Sequence, residues 1–235
     1  MRTILLVNKS SLIDRDAFGR YAAAQQRQVT EHFGPVYGLD VQLQVAADHK
    51  PNEEAVVFCD HPDQADALGY HELVQSSETP LGFVFPGLGA KYSTPWESIG
   101  SHETLEQIKD PYCNRAAVGI WARRPAIIAD EPADPCQNDL YAIDDVPMSN
   151  FVTPAWFDAT NTGAGFYDLL GLVKTPCTLR PGGYISVSFD LKHWHQVFAW
   201  KHPMTGYRFH PGVDRYKRVK RRGKTGPHFI QRPKK

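Results

Sequence analysis

The chain has 235 residues, of which 42% are hydrophobic, and this length is enough to bury one substantial core. No apolar run approaches the roughly 20 residues that a membrane helix needs, so no membrane partner is expected. Met1 leads directly into a strand-like segment, and the four cysteines lie far apart without a CxxC pair. We therefore expect free thiols and a cytoplasmic protein without a signal peptide.

The net charge of zero conceals a strongly basic C-terminus. From Arg215 to Lys235 the chain carries ten Lys/Arg and no Asp/Glu, which leaves 16 basic and 26 acidic residues before it. We therefore divide the chain into a domain over 1–212 and a basic tail over 213–235. A tail of this composition can bind nucleic acid, dock on a neighbouring subunit or remain a solvated extension. Binding would use its clustered cations: Arg215, Lys217, Arg218, Lys220, Arg221, Arg222 and Lys224.

The first part of the chain alternates predicted strands with a predicted helix. Asp14 is a suitable N-cap for a helix over 15–33, which a turn at 34–38 ends. Residues 60–66 form a predicted loop that leads to His71. Prolines on both sides mark the strand that follows as an exposed edge. The predicted strands cover residues 3–7, 41–45, 55–59 and 81–85.

A second helix is predicted with Thr94 as its N-cap and Pro95 as its first residue, and it should end at Lys109, before Asp110-Pro111. Beyond it the periodicity weakens. The remaining predictions are a strand at 118–122, a loop at 147–157, a short helix at 166–173, and a strand after the turn at 181 that pairs with 196–200. The predicted fold class is α+β: a small mixed sheet with one long helix, a loop-rich C-terminal part and the basic tail.

This second helix carries Ser-His-Glu-Thr-Leu-Glu at 101–106. His102 and Glu106 are four residues apart, so both project from one face about 6 Å apart, a spacing that suits binding of one metal ion. Glu103 points about 100° away from them. Asp110 lies on the same face but about 12 Å along the axis from His102, too far to share an ion with it.

A third ligand must therefore come from outside the helix. Glu131 and Asp134 are the acidic candidates downstream, and His71 is the alternative upstream. Asp134 could instead hold His102 in position through a hydrogen bond. The sequence leaves these alternatives open.

The order of predicted elements, followed by a helix with HExx, resembles that of zincin metallopeptidases. The downstream Glu131 and Asp134 are similar to the pattern of the gluzincins within that group. The resemblance implies a metal-dependent hydrolase of peptides or proteins, in which His102, Glu106 and Glu131 hold zinc and Glu103 is the general base for a metal-bound water. It also implies that Asp134 supports a ligand. Because Glu106 replaces the second histidine of HExxH, the oxygen-rich ligand set also suits manganese, iron or calcium.

The chain also resembles a group of phage and bacterial proteins with motifs in the same order. Here these motifs are Ala-Leu-Gly-Tyr-His at 67–71, Ser-His-Glu-x-x-Glu through Asp-Pro at 101–111, Glu-x-x-Asp at 131–134, and Ser-Asn-Phe before Pro-Ala-Trp-Phe at 149–157. This resemblance implies a family and no particular activity. It leaves a second hypothesis open, an inactive zincin-fold assembly protein of a virion whose tail binds nucleic acid or neighbouring subunits. In a third hypothesis, the chain is a nucleic-acid-binding module and the HExxE pattern is incidental.

Overall fold

A computed structural model of the chain describes residues 1–62, 67–74, 76–161 and 165–199, and the backbone of a strand at 208–211. The basic tail from Arg215 onward, with its predicted binding residues, lies outside the described residues. So does Trp200, the last residue of the predicted strand pair. All four cysteines are free thiols, as predicted. Among the described residues, no helix is long and apolar enough to cross a membrane.

The N-terminal half forms a mixed five-stranded sheet in the order β2-β1-β3-β5-β4. Its strands are β1 (Arg2–Asn8), β2 (Val41–Ala46), β3 (Ala55–Phe58), β4 (Gly69–Val74) and β5 (Thr79–Val84). Neighbouring strands are parallel except for β4, which runs antiparallel to β5 at the edge. β3 is buried along its whole length, as expected for a central parallel strand covered on both faces.

The prediction about this edge is wrong. The strand predicted at 81–85 as an exposed edge is β5, which pairs with both β3 and β4. Pro80 is tolerated there because it is only the second residue of the strand, and Pro86 already belongs to the next helix. The true edge strand is β4, which contains His71, a residue predicted to follow a loop.

The first helix, α1 (Arg15–Arg27), begins as predicted, because the Asp14 carboxylate accepts hydrogen bonds from the backbone N–H groups of Asp16 and Ala17. The predicted turn at 34–38 is wrong in part, since the chain stays helical through a π-helical segment, Gln28–Phe33, and α2 (Gly34–Tyr37). The helix ends at Gly38, which has a φ of +66°.

A short helix, α3 (Pro86–Lys91), leads to α4 (Trp96–Lys109), which ends at Lys109 as predicted. The predicted cap at Thr94 is wrong: Pro95 occupies the capping position and no side chain bonds to the free amides. Every residue from Ser98 to Ile108 is buried, since α4 packs against the first sheet and against a hairpin from the C-terminal half. A helix buried on all sides needs an internal explanation for each polar side chain it carries.

The C-terminal half consists of strands with long connections. Its elements are β6 (Ala116–Trp121), β7 (Arg124–Ala129), the hairpin of β8 (Leu140–Ile143) and β9 (Val146–Ser149), α5 (Pro154–Phe157), β10 (Tyr184–Ser188), β11 (Trp194–Phe198) and β12 (Arg208–Pro211). Apart from the β8–β9 hairpin, these strands form a second sheet, antiparallel and ordered β12-β11-β10-β7-β6. The predicted strand at 118–122 is confirmed as β6. The predicted pairing of the strand after the turn at 181 with the strand that begins near residue 196 is confirmed as the β10–β11 pair.

The helix predicted at 166–173 is wrong. This segment forms turns, because the carboxylate of Asp168 accepts a hydrogen bond from the backbone N–H of Val173 and Gly171 adopts a φ of +63°. The segment predicted as a loop at 147–157 includes most of β9 and all of α5. Its aromatic residues Phe151, Trp156 and Phe157 are buried and anchor the chain to the two cores.

Candidate metal centre

The site is built on α4, which lies against the first sheet at close range. Gly100 makes this approach possible, because a Cβ atom at Gly100 would lie 2.6 Å from the Tyr21 hydroxyl and 2.7 Å from the Phe58 ring. The following turn presents His102, Glu103 and Glu106, all with 0% of their surface exposed. The sequence therefore places three ionisable groups in the buried interior of the protein.

Further ionisable side chains reach the same place from other elements. His71 comes from the edge strand β4, and Glu131 and Asp134 come from the segment after β7; all three are buried. We call the resulting set the histidine–carboxylate cluster; its members are His71, His102, Glu103, Glu106, Glu131 and Asp134. The structure thus brings together the predicted HExxE residues and all three predicted candidates for a further ligand.

The closest contacts join His102 to two carboxylates. Its Nε2 atom lies 3.2 Å from Glu106 Oε1 and 3.2 Å from Asp134 Oδ1. Ligand atoms about 2.0 Å from a tetrahedral zinc ion are separated by about 3.3 Å. The donor atoms of His102, Glu106 and Asp134 all lie within 4.8 Å of one another, so the three side chains could hold one metal ion.

A second group of donors adjoins the first. His71 Nδ1 lies 3.7 Å from Glu103 Oε2 and 3.8 Å from Glu106 Oε2. The donor atoms of His71, Glu103 and Glu106 also lie within 4.8 Å of one another. Glu106 is therefore common to both groups.

Three of the acids have buried oxygens without a hydrogen bond. Neither carboxylate oxygen of Glu103, Glu106 or Asp134 meets a described donor in hydrogen-bond geometry. Their ion-pair contacts among the described residues are with histidines alone. Because an unpaired buried carboxylate costs several kcal/mol, on the order of the whole stability of a domain, such a group normally binds a cation or takes up a proton.

Burial and the neighbouring charges set the protonation of the cluster. Burial raises the pKa of Glu103 and, further, that of Asp134. Burial also opposes ionisation of Glu106, but the adjacent His102 holds the pKa of Glu106 below its usual range. Burial alone would lower the pKa of both histidines, yet the adjacent Glu106 raises the pKa of His102, and the Cys113 thiol followed by Glu103 raises that of His71. Without a cation, the cluster therefore shares protons among its acids and histidines.

A glycine in the edge strand gives Glu103 its space. A Cβ atom at Gly69 would lie 2.8 Å from Glu103 Cγ and 2.9 Å from its Oε1. The carbonyl oxygen of Phe83 would lie equally close, at 2.9 Å, and this backbone atom cannot move aside as a side chain can. Gly69 thus allows the β4 backbone to lie directly over the cluster.

A network of neutral side chains positions α4 beside the cluster, and sequence reasoning missed most of it. Gln28 Oε1 accepts hydrogen bonds from Gln25 Nε2 and Ser101 Oγ, and Gln28 Nε2 donates to the Ser149 carbonyl. Ser101 Oγ in turn accepts from the Ser149 backbone N–H. We call these four residues the Gln28 network. The available signal was a pair of glutamines three residues apart on a helix that also presents apolar residues.

Asp110 and Glu131 have different surroundings. The carboxylate of Asp110 accepts hydrogen bonds from the backbone N–H groups of Asn114 and Arg115, which fixes the turn after α4. Glu131 lies next to Asp134 and, after burial and Glu106, is a further cause of the raised pKa of Asp134. The hydroxyl of Tyr184 faces the same pair of carboxylates.

No protein-family model matches the chain, and no curated protein or solved structure matches it either. The chemistry of the cluster's own donors is therefore what indicates a function.

Proposed function

We propose that this chain is a metal-dependent hydrolase and that the histidine–carboxylate cluster holds its divalent cation. One observation carries the proposal: buried carboxylates with no hydrogen bond converge on histidine nitrogens inside the protein. The donor set fits a cation because carboxylate oxygens and imidazole nitrogens are the ligands of zinc, manganese and iron in proteins. A divalent cation would also neutralise two of the buried negative charges.

His102, Glu106 and Asp134 are the best ligands for this ion, since their donor atoms have the tightest spacing. Asp134 contacts the same ring nitrogen of His102 as Glu106 does, which favours a ligand role over support of the imidazole from its far side. Glu131, the ligand implied by the gluzincin resemblance, lies beside Asp134. It would be a further ligand of the ion or form a hydrogen bond with Asp134. Zinc is the first candidate, and two carboxylates in the shell also suit manganese or iron.

The proposed substrate is a peptide or other amide bond. A bound divalent ion would polarise the substrate carbonyl and acidify a water molecule. Glu103 is one residue beyond His102 on α4, and its carboxylate would take the proton from the attacking water. The edge strand β4 beside the site and the HExxE pattern on α4 agree with the resemblance to zincin metallopeptidases.

The complete burial of the donors favours a second candidate function. His102 and Glu106 from α4 and Asp134 from the C-terminal half are between 0% and 1% exposed, which suits an ion that holds the two halves of the protein together. The chain would then be an inactive assembly protein whose basic tail contacts nucleic acid or neighbouring subunits. Deletion of 215–235 would abolish partner binding in that case and leave metal content and any hydrolysis unchanged.

Metal analysis and a hydrolysis assay separate these outcomes. We expect the purified full chain to contain bound divalent metal and to cleave a generic protein substrate such as casein. His102→Ala should lose the ion next to Asp134, whereas His193→Ala, which removes an exposed histidine beside Asp190, should not. Glu103→Gln should abolish hydrolysis.

Loaded protein without turnover on protein, peptide or amide substrates would overturn the hydrolase and leave the assembly function in front. Absence of bound metal after incubation with zinc, manganese or iron would overturn both candidates. In that case binding that collapses with added salt and ignores a chelator would identify the nucleic-acid-binding alternative.

A further inference from the structure

The two oxygens of Glu106 face two different histidines. Oε1 lies 3.2 Å from His102 Nε2, and Oε2 lies 3.8 Å from His71 Nδ1. The histidines come from different elements, α4 and β4, on either side of the carboxylate. This is the arrangement of a carboxylate that bridges two cations, each bound through one oxygen.

The donors on the β4 side are sufficient for an ion of their own. Glu103 Oε2 lies 3.7 Å from His71 Nδ1, and with Glu106 these three donors lie within 4.8 Å of one another. For metal–ligand bonds of about 2.1 Å, separations of this size correspond to ligand–metal–ligand angles of about 125°. Glu103 is 0% exposed and both of its oxygens lack a hydrogen bond, so its carboxylate is buried and aimed into this space.

The charge of the cluster also favours two ions over one. It contains four carboxylic acids, Glu103, Glu106, Glu131 and Asp134, all of them buried. Fully ionised, they carry four negative charges, which two divalent cations balance. A single divalent cation would balance only two of these charges, and the other two buried acids would then have to bind protons.

We propose that the histidine–carboxylate cluster is a two-metal centre in which Glu106 bridges one cation held by His102 and Asp134 and a second cation held by His71 and Glu103. The first cation is that of the proposed function, on which this inference rests. The second changes the role of Glu103 from proton acceptor to metal ligand. Two cations about 3.5–4 Å apart can stabilise both the attacking and the leaving oxygen of a hydrolysed bond.

Metal titration of the full-length protein tests the second cation. The protein is stripped with a chelator, loaded with Mn²⁺ and analysed for bound metal. We expect about two ions per chain in the unmodified protein, about one in His71→Ala and in Glu103→Gln, and about one in Asp134→Ala. His193→Ala is the matched control and should retain about two, because it removes an exposed histidine–carboxylate pair.

Electron paramagnetic resonance of the unmodified Mn²⁺ protein tests the bridge without any variant. Two ions joined by Glu106 should give a magnetically coupled spectrum, and Glu106→Gln should abolish the coupling. Two uncoupled ions would overturn the bridge. One ion per chain, retained in His71→Ala and in Glu103→Gln, would overturn the second site and leave the proposed function standing, whereas no ion at all would overturn both.

Discussion

Two groups of buried polar side chains meet on α4, one residue apart in sequence, and they differ in how completely their polar atoms are paired. In the Gln28 network, Gln28 and Ser101 bond to each other, and their remaining polar groups pair with Gln25 of α1 and Ser149 of β9. In the histidine–carboxylate cluster, three buried carboxylates have no hydrogen bond. Because both groups share the same helix and the same depth, poor packing of this region does not explain the difference.

The comparison indicates what each group does. A neutral network in which Gln28 and Ser101 have their polar groups paired contributes to stability and fixes the rotation of the helix. A charged cluster without such pairing is costly unless a cation completes it. α4 thus has one polar group that holds it in place and another that could hold a metal ion.

The largest expected effect comes from removal of the metal. Free cation at about 1,000 times its dissociation constant should stabilise the fold by about 4 kcal/mol, because it binds the folded chain alone. Urea unfolding at pH 7 with Mn²⁺ and with a chelator measures this difference. His102→Ala should strongly reduce the difference in stability between the two conditions. Equal unfolding midpoints with Mn²⁺ and with a chelator would show that the metal does not stabilise the fold.

A smaller loss of stability is expected when α4 is pushed away from the sheet, because this disturbs the Gln28 network and the histidine–carboxylate cluster together. Gly100→Ala places a Cβ atom against Tyr21 and Phe58, so we expect destabilisation of about 1–3 kcal/mol and weaker metal binding. Gly19→Ala in α1 is the matched control, because a Cβ there meets nothing within 4 Å. It should stabilise the chain by about 0.4–1 kcal/mol. If both variants behave alike, close packing of α4 is not what positions the cluster.

Ser101→Ala acts on the paired group alone. It removes a hydroxyl that accepts from the buried Ser149 N–H and should cost about 1–2 kcal/mol in chemical unfolding. Ser98→Ala, on the same helix, removes a hydroxyl that donates to the Pro95 carbonyl. This control should cost less, since that carbonyl also accepts from the backbone N–H of Ile99. A larger loss for Ser98→Ala would mean that the Gln28 network does not hold α4.

Glu103→Gln should change the stability of the metal-free protein least, and it should increase that stability. Burial raises the pKa of Glu103 in the folded protein, so the metal-free protein loses stability as pH rises above about 4.3, the ordinary glutamate value. Glu103→Gln removes this ionisation. At pH 7 the metal-free variant should be slightly more stable than the metal-free parent, whereas at pH 4 the two should be similar. Unfolding curves at the two pH values measure this, and a less stable variant at pH 7 would show that the ionised carboxylate is well accommodated.

Local sequence signals predicted the strands and helices around the site better than they predicted which residues meet in it. Apolar runs located β1, β2 and β3, the Asp14 cap located the start of α1, and the Asp-Pro pair located the end of α4. Helical spacing also placed His102 and Glu106 on one face. These features depend on neighbours within a few residues, so a single sequence contains them.

The remaining features depend on contacts between distant segments. Whether β5 lies inside the sheet or at its edge is decided by pairing with β4, and the same pairing brings His71 to the cluster. Asp134 approaches His102 from a segment 32 residues away, and Gln28 reaches Ser149 across 121 positions. No local pattern encodes such distances, which is why the third ligand remained open among Glu131, Asp134 and His71.

The most direct test of metal binding by the cluster is the metal content of the purified full chain beside the double variant His102→Ala, Glu106→Ala. We expect bound divalent metal in the parent and its loss in the double variant, with the fold retained by circular dichroism. Absence of metal in both proteins, after incubation with zinc, manganese and iron in turn, would contradict this expectation and leave the buried carboxylates to be explained by bound protons alone.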